Sequence, residues 1–172
     1  MNWECLIIND GSTDRSLETV ARFIQSHPGN WKIINQVNAG QTESRNLGIE
    51  NASGEFIAFL DADDLWLPEK LEVQVNLHLS DPDIGLSLTS YAIFHQGQVR
   101  GFRVVKCTDS NKMINRWLRL TGFGGLIEST GFIRRDTLEE FGKYSETFSM
   151  TSGLDLCLKI AAKRKIVVLP NL

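Results

Sequence analysis

The chain has 172 residues, of which 42% are hydrophobic and 23% are charged, and its formal net charge at pH 7 is −3. This is the composition of one globular domain, residues 1–172, that is long enough to bury a substantial core. Because the charge balance is slightly acidic, the chain has no basic field of the kind that binds nucleic acid in bulk.

The first half of the chain alternates strand and helix patterns. Strands are predicted at 3–9, 31–36 and 55–60, and helices follow the turn at 10–14 and cover 41–51. In the first helix, Leu17, Val20, Ala21 and Ile24 recur at helical spacing. Three successive strand-then-helix units predict a largely parallel sheet with helices on both faces.

The second half has shorter elements. Pro68 is predicted as the first residue of a helix, and a hairpin is predicted from 84–94 and 99–105. Beyond it we expect helices at 111–120, 135–141 and 154–163, a loop at 121–125, and strands at 131–133 and 166–169. The hairpin would form an antiparallel edge on the parallel sheet.

The cysteines and the hydropathy indicate a reducing compartment. Cys5, Cys107 and Cys157 are far apart and odd in number, which is typical of buried thiols rather than of disulfides or a zinc site. No signal peptide precedes the first strand pattern, and no apolar run approaches the length of a membrane span. We therefore expect a cytoplasmic protein, with attachment to the inner face of the membrane left open.

The strongest chemical signal is the acidic turn that follows the third strand. The five apolar residues 56–60 lead directly into Asp61, Asp63 and Asp64. Carboxylates this close repel each other unless a cation lies between them, which favours a site for Mg²⁺ or Mn²⁺ with phosphate oxygens completing the shell. The alternative is a solvated acidic turn in which Asp61 or Asp64 caps the next helix.

A second acidic signal ends the first strand. There the chain reads Asn9-Asp10-Gly11-Ser12-Thr13-Asp14. Ligands gather at the carboxyl ends of the strands in open α/β sheets, so Asp10 is a candidate to accept a hydrogen bond from a base or a ribose. Helix capping by Ser12 or Asp14 explains those two residues but leaves Asp10 unexplained.

Two further residues carry both a functional and a structural interpretation. Arg45 has the planar fork that suits a diphosphate, although pairing with Glu43 or Glu50 would explain it equally well. Asp155 is a candidate general base, a helix cap, or a partner of Lys159 at helical spacing.

These segments, in this order, resemble the family 2 glycosyltransferases, which have the nucleotide-diphospho-sugar transferase fold known as GT-A. The resemblance rests on the segment at 9–14, on Asn38-Ala-Gly40 with Arg45-Asn46-Leu-Gly48, on residues 54–71, and on 132–142 with 155–159. It spans nearly the whole chain and implies a mixed α/β sheet flanked by helices.

The resemblance also implies roles for the candidate residues. Asp10 would contact the nucleobase, usually uracil, and Arg45 would lie near the nucleotide and diphosphate. Asp61 would face the ribose or the metal, and Asp63 would bind the cation directly. The segment 121–130 and the helix around Asp155 would form the side that binds a saccharide or lipid-linked saccharide acceptor.

The implied reaction is transfer of a sugar, with inversion, from a nucleoside-diphosphate donor to an acceptor hydroxyl in surface polysaccharide or glycoconjugate synthesis. One carboxylate would remove the proton of the hydroxyl, because the leaving diphosphate is stabilised by charge rather than by protonation.

The chain departs from the family pattern in two places. The family has an earlier strand, ending in Pro-x-Tyr-Asn or similar, and a helix ahead of the segment that begins here at Trp3. We therefore expect an N-terminally truncated domain with an exposed sheet edge that favours self-association. The family often has Glu-Asp-x-Asp where this chain has Ser152-Gly153-Leu154-Asp155, so Gly153 replaces the usual base.

Two alternatives stay open at this stage. One is a catalytically incomplete domain that binds nucleotide or has only a structural role. The other is a haloacid-dehalogenase-type phosphohydrolase, which also has Asp-x-Asp after a strand. That class needs Thr or Val where this chain has Leu65, and a later Gly-Asp-x-x-x-Asp that is not found.

Overall fold

The computed structural model describes residues 2–103, 128–148 and 151–170. The predicted helix at 111–120, the loop at 121–125 and Cys107 lie outside the described residues. Five α-helices occur in the described part: α1 Ser16–Ser26, α2 Gln41–Asn51, α3 Lys70–Ser80, α4 Arg135–Phe141 and α5 Ser152–Ala161. The strands are β1 Cys5–Asp10, β2 Trp31–Gln36, β3 Phe56–Ala58, β4 Ile84–Thr89, β5 Tyr91–His95, β6 Gln98–Arg103, β7 Phe132–Arg134 and β8 Lys165–Leu169. A short 3₁₀ turn covers Glu128–Thr130.

The strands form a mixed architecture, which confirms the predicted α/β class. β1 and β2 pair in parallel. A second sheet has the order β3-β7-β4-β8, in which β7 runs antiparallel to both of its neighbours and β4 runs parallel to β8. The antiparallel component therefore lies inside the second sheet as well as in the hairpin.

Several predicted boundaries differ in the structure, among them the ends of β3, which covers only Phe56–Ala58, and of α5. Two further differences concern the strand predicted at 84–94 and the start of α3. The strand expected at 84–94 divides at Ser90: the fully buried β4 enters the four-stranded sheet, whereas the exposed β5 pairs with β6. The helix α3 begins at Lys70, two residues later than the Pro68 start that the sequence predicted. The amide of Lys70 donates instead to the Leu67 carbonyl (3.1 Å), so residues 67–70 form a turn ahead of the helix.

The core lies between the four-stranded sheet and the helices that cover it. Its buried members come from β3, β4, β7, β8, α4, α5 and the segment after α4, and they are Ile57, Leu86, Leu88, Ile133, Leu138, Tyr144, Leu156, Cys157, Ile160, Ile166 and Val168. Burial of Cys157 agrees with the predicted structural thiol. Among the described residues, no helix combines the length and hydrophobicity that a bilayer crossing requires.

The helix α2 connects the two sheets. Within the described residues, β1 pairs only with β2, and β3 pairs only with β7. Gly48 of α2 faces β1, where an added Cβ would lie 3.7 Å from the Ile8 side chain, whereas Ile49 and Ala52 pack against the core. A carboxylate oxygen of Glu4 accepts from the Ser53 hydroxyl (2.6 Å) and the Gly54 amide (3.0 Å) at the start of β3. These contacts join the sheets without strand pairing.

A buried polar group fixes α3 against β4. His78 is fully buried, and its Nε2 lies 3.0 Å from the hydroxyl of Ser87, while its Nδ1 has no hydrogen-bond partner in the structure. Burial, with a smaller contribution from Arg134, lowers the pKa of His78 to about 4. The imidazole is therefore neutral in the folded protein at neutral pH.

This burial predicts a pH dependence of stability. Because an unfolded histidine titrates near pH 6.5, the unfolded chain binds more protons than the folded chain between about pH 6.5 and pH 4. The free energy of unfolding should therefore fall as pH is lowered through this window, by roughly 1–2 kcal/mol from this residue. Urea unfolding of the wild type and of His78→Gln at pH 7 and pH 5 measures the difference in slope.

The matched control is His27→Gln, which removes an exposed histidine. It should retain the wild-type pH dependence, whereas His78→Gln should flatten it. Equal slopes in the wild type and in both variants would contradict the assignment.

Candidate functional site

Asp10 lies at the carboxyl end of β1, and its carboxylate holds the loop that leads into α2. One oxygen accepts from the Ala39 amide (2.7 Å) and from Gln36 Nε2 (2.7 Å), and the other accepts from the Gly40 amide (2.9 Å). The hydrogen bond from Gln36, followed by the one from Ala39, lowers the pKa of Asp10 below its usual value. Asp10 is therefore an ionised acceptor at the expected edge, with both oxygens already bonded to its own chain.

The start of α1 differs from the capping interpretation, because Arg15 precedes the helix and no side chain caps it. A side-chain oxygen of Asp14 accepts from the Ser16 amide (3.0 Å) at the first residue of the helix. Ser12 does not cap: its own amide donates to the side chain of Asn9 (3.2 Å). Asp14 therefore supports the turn ahead of α1, and neither Ser12 nor Asp14 is the N-cap of this helix.

Arg45 lies between two carboxylates. Its Nη2 is 3.1 and 3.2 Å from the two oxygens of Asp61, and its Nη1 is 3.4 Å from Glu128. The guanidinium also lies over the ring of Tyr144, 5.9 Å from the centroid, and the side chain is only 11% exposed. Arg45 therefore pairs with neither Glu43 nor Glu50 here, and Glu50 instead contacts Lys143.

One helix brings the two strand ends to the same edge. Gly40, just ahead of α2, donates to Asp10, and Arg45 in the second turn of α2 binds Asp61. Five residues of helix advance by about 7.5 Å along the axis. The end of β1 and the turn after β3 are therefore held a short distance apart by one rigid element.

The acidic turn is anchored on the 3₁₀ turn. The Asp64 amide donates to the Asp61 carbonyl (3.0 Å), which closes the turn. The Asp61 amide donates to the Ser129 hydroxyl (2.9 Å), and the Trp66 indole donates to the Ser129 carbonyl (2.7 Å). The alternative that Asp64 caps α3 is wrong, because Glu69 precedes that helix and no side chain caps it.

The donor chemistry of this turn fits a hard divalent cation in part. Asp63 is exposed, and the side chain of Asp61 is 38% exposed although Arg45 contacts both of its oxygens. No group of three or more metal-ligating side chains occurs in the residues that the structure describes. A cation here would therefore need phosphate oxygens and waters in addition to one or two carboxylates, which is the usual arrangement for Mg²⁺.

Glu128 is a site residue that the sequence analysis missed. Its side chain is 14% exposed, and burial raises its pKa while Arg45 partly opposes that shift. The residue belongs to no recognisable motif, and its partner Arg45 is distant in the sequence. The sequence therefore carries no local signal that identifies it.

Asp155 lies in the first turn of α5 and pairs with Lys159, whose Nζ is 2.6 Å from Oδ2. This confirms the helical pairing. The adjacent Ser152 and Gly153 are buried. A role of Asp155 as general base stays a prediction.

Comparison with known proteins gives a consistent match. The family model described as Glycosyl transferase family 2 matches residues 1–142. The UDP-Glc:alpha-D-GlcNAc-diphosphoundecaprenol beta-1,3-glucosyltransferase WfgD of Escherichia coli is 36% identical over 101 residues, covering 58% of this chain and 38% of that protein. Across eight curated relatives, the matched segment spans 13% to 38% of the relative's length.

Solved structures show the same fold. S. aureus TarS 1-349 in complex with UDP has a TM-score of 0.76 at 20% identity, over 98% of this chain and 49% of that chain. The mannosyltransferase PcManGT of Pyrobaculum calidifontis, in complex with GDP-Man and Mn²⁺, has a TM-score of 0.69 at 20% identity, over 98% and 46% of the two chains. The fold is therefore GT-A, as the resemblance implied.

Replacing Arg45 tests the ion-pair arrangement. Arg45→Met should lower the free energy of unfolding by about 2–4 kcal/mol, because it leaves Asp61 and the buried Glu128 without their shared counter-charge. Urea unfolding measures the loss. The control Arg15→Met removes an ion pair with Glu18 in which the arginine is 79% exposed, and its free energy of unfolding should stay close to that of the wild type. Equal losses in the two variants would refute the arrangement.

Replacing Gly11 tests the close approach behind Asp10. Gly11 has φ +70°, and an added Cβ would lie 2.8 Å from the backbone nitrogen of Asn38. Gly97 has φ +75° but open space around it. Gly97→Ala should lower the free energy of unfolding by about 1 kcal/mol, because alanine disfavours the positive φ. Gly11→Ala should lower it by about 1–3 kcal/mol more, because the added Cβ also meets the Asn38 backbone. Thermal and urea unfolding compare the two, and a Gly11→Ala loss no larger than that of Gly97→Ala would be the contrary result.

Proposed function

The chain belongs to glycosyl transferase family 2, and from that premise we propose that it is the donor-binding part of a metal-dependent glycosyltransferase. It moves a sugar from a nucleoside-diphosphate donor to an acceptor hydroxyl with inversion at the anomeric carbon. The product is a surface polysaccharide or glycoconjugate. This assignment replaces the haloacid-dehalogenase alternative.

The observation that carries the proposal is the attachment of both acidic strand ends to α2. Gly40 and Arg45 hold Asp10 and Asp61 at positions five residues apart on one helix. A nucleoside diphosphate has its base at one end and its diphosphate at the other. At this edge of the sheets, the carboxylate of Asp10 can accept a hydrogen bond from the base, and the acidic turn can hold the cation that binds the diphosphate.

Asp63 is the main candidate ligand for Mg²⁺ or Mn²⁺, and Asp61 is the second. Asp63 lies within the turn that the Asp64 amide and the Asp61 carbonyl close, and its side chain is exposed, so its oxygens are accessible. Hard carboxylate oxygens suit either cation. When bound, the cation supplies positive charge that offsets the negative charge of the diphosphate. The neighbouring mannosyltransferase structure with Mn²⁺ supports this choice.

The donor is proposed to be a UDP-sugar. Asp10 accepts a hydrogen bond from the uracil ring, and Arg45 lies close to the nucleotide and diphosphate through its place beside Asp61. Support comes from the UDP complex of TarS and from the UDP-Glc donor in the name of WfgD. Because the oxygens of Asp10 already accept three hydrogen bonds, the base would use a remaining lone pair.

In the proposed reaction, the acceptor oxygen attacks the anomeric carbon as the bond to the diphosphate oxygen breaks. A carboxylate takes the hydroxyl proton, and Asp155 is the residue that the sequence analysis nominates. The acceptor is a saccharide or a lipid-linked saccharide. A lipid-linked acceptor would bring the protein into peripheral contact with the inner face of the cytoplasmic membrane.

The main alternative is a nucleotide-binding fragment that lacks catalysis. Two observations favour it. Asp155 pairs with Lys159, and no described strand joins the sheet of β1 and β2 to the sheet that contains β3. In that case the chain binds the donor but does not turn it over.

Calorimetric titration with UDP tests the donor site. Heat of binding is expected with Mn²⁺ present and not after EDTA treatment, because the diphosphate needs the cation as a counter-charge. Asp63→Ala should weaken metal-dependent UDP binding by at least about tenfold, which corresponds to about 1.4 kcal/mol. The control Asp83→Ala removes a carboxylate next to Lys165, at the start of β8, and should bind UDP like the wild type.

Unchanged, metal-dependent UDP binding in Asp63→Ala would refute the cation site. Release of UDP from a UDP-sugar in the presence of a saccharide acceptor then separates the enzyme from the binding fragment.

A further inference from the structure

We infer that Glu128, rather than Asp155, accepts the proton of the acceptor hydroxyl. This inference rests on the proposed glycosyl transfer and identifies the base within that same site. It is carried by the position of the Glu128 carboxylate beside the acidic turn, at a cavity that also reaches the start of α5.

Glu128 is tied to the acidic turn by two independent connections. Through its side chain it pairs with Arg45 (3.4 Å), which in turn binds Asp61 at 3.1 Å. Through the backbone it is followed by Ser129, whose hydroxyl accepts from the Asp61 amide and whose carbonyl accepts from Trp66. The Glu128 carboxylate is therefore placed relative to the diphosphate end of the proposed donor by contacts on both sides.

The same carboxylate lines a small cavity between the sheet and α5. In the described part of the chain, Glu128 is the one carboxylate of this lining, which otherwise comes mainly from apolar residues: Phe59, Leu86, Gly131, Ile133, Tyr144, Gly153, Leu156 and Cys157. Gly153 contributes no side chain at the buried start of α5. Glu128 thus supplies an acidic group next to a position where α5 itself has none.

The environment suits a proton acceptor. Among the residues that the structure describes, the charged and titratable groups that face Glu128 are Arg45 from α2, Asp61 from the acidic turn, Tyr144, and Cys157 from α5. Burial raises the pKa of Glu128, and Asp61 adds to the rise, whereas Arg45 opposes it. A carboxylate of raised basicity is the type of group that general-base catalysis uses.

Asp155 is placed less favourably. Its side chain is 24% exposed, and Oδ2 accepts a hydrogen bond from Lys159 at 2.6 Å, one turn along the same helix. Asp155 is therefore bound within its own helix, whereas Glu128 faces inward.

The step balances without a further reactant. The acceptor O–H bond breaks, and its proton forms a bond with an oxygen of Glu128. The acceptor oxygen forms a bond to the anomeric carbon, and the electron pair of the cleaved bond between that carbon and oxygen leaves with the nucleoside diphosphate. The protonated carboxyl then returns its proton to water.

The test compares Glu128→Gln with Asp155→Asn and with Glu139→Gln, which replaces an exposed glutamate of α4. UDP release from a UDP-sugar with a saccharide acceptor gives kcat and KM. For Glu128→Gln we expect kcat to fall by about 10² to 10⁴ while metal-dependent UDP binding and the donor KM stay within about threefold of the wild type. Glu139→Gln should retain full activity.

A second readout separates catalysis from support of Arg45. In the wild type, kcat plotted against pH should fall on the acid side, and this fall should be absent from the residual activity of Glu128→Gln. Glu128→Asp keeps the negative charge and should restore a part of kcat. If Glu128→Gln does not fold, Glu128→Asp carries the test: circular dichroism should be unchanged while kcat falls at least about tenfold.

The outcomes are distinct. Three results would overturn the assignment of Glu128 as the base and leave the proposed function intact. They are a wild-type kcat in Glu128→Gln, an acid limb of the kcat profile that this variant leaves unchanged, and a loss of kcat in Asp155→Asn alone. Loss of UDP binding together with kcat would show a positioning role and would also overturn it. A wild-type chain that binds UDP but transfers no sugar would remove the proposed activity, and the base assignment with it.

Discussion

The site depends on one constraint: Asp61 and Glu128 approach each other only because Arg45 lies between them. Two carboxylates at short range repel each other, and the cost is largest for the less exposed Glu128, unless a cation lies between them. Arg45 provides it from α2, and the ring of Tyr144 supports the guanidinium. The two ion pairs of Arg45 therefore fix the relative positions of α2, the acidic turn and the 3₁₀ turn. These three segments come from distant parts of the sequence.

The 3₁₀ turn is also held from the opposite side, by a buried polar row on α3. Gln74 donates to the Thr130 carbonyl (3.2 Å) and to the Ser87 hydroxyl (3.1 Å), and Lys70 donates to Gln74 (2.7 Å). Lys70 also lies 4.4 Å from the centroid of Trp66, and burial lowers its pKa to about 8. Such supporting contacts set the geometry of a site before a ligand arrives.

Local signals made much of the fold and part of the site predictable. The bounds of α2 and α4, and the placement of Asp10 and Asp61 at strand ends, follow from periodicity and turn residues near each position. The failures share a cause, which is long-range pairing. The division of β4 from β5 depends on pairing with β7 and β8, and the importance of Glu128 depends on an arginine on a different element.

The separate pairing of β1 with β2 has an energetic consequence for ligand affinity. Within the ranges 2–103, 128–148 and 151–170, these strands join the four-stranded sheet through α2 and the contacts of Glu4, and no continuous ladder of backbone hydrogen bonds links them to it. Such a unit can open sub-globally at a lower free energy than the core, and its amides would then exchange with solvent earlier than those of β4. A ligand that needs both strand ends would bind only the closed unit, so its binding would raise the free energy of this opening and slow the exchange of the β1 and β2 amides.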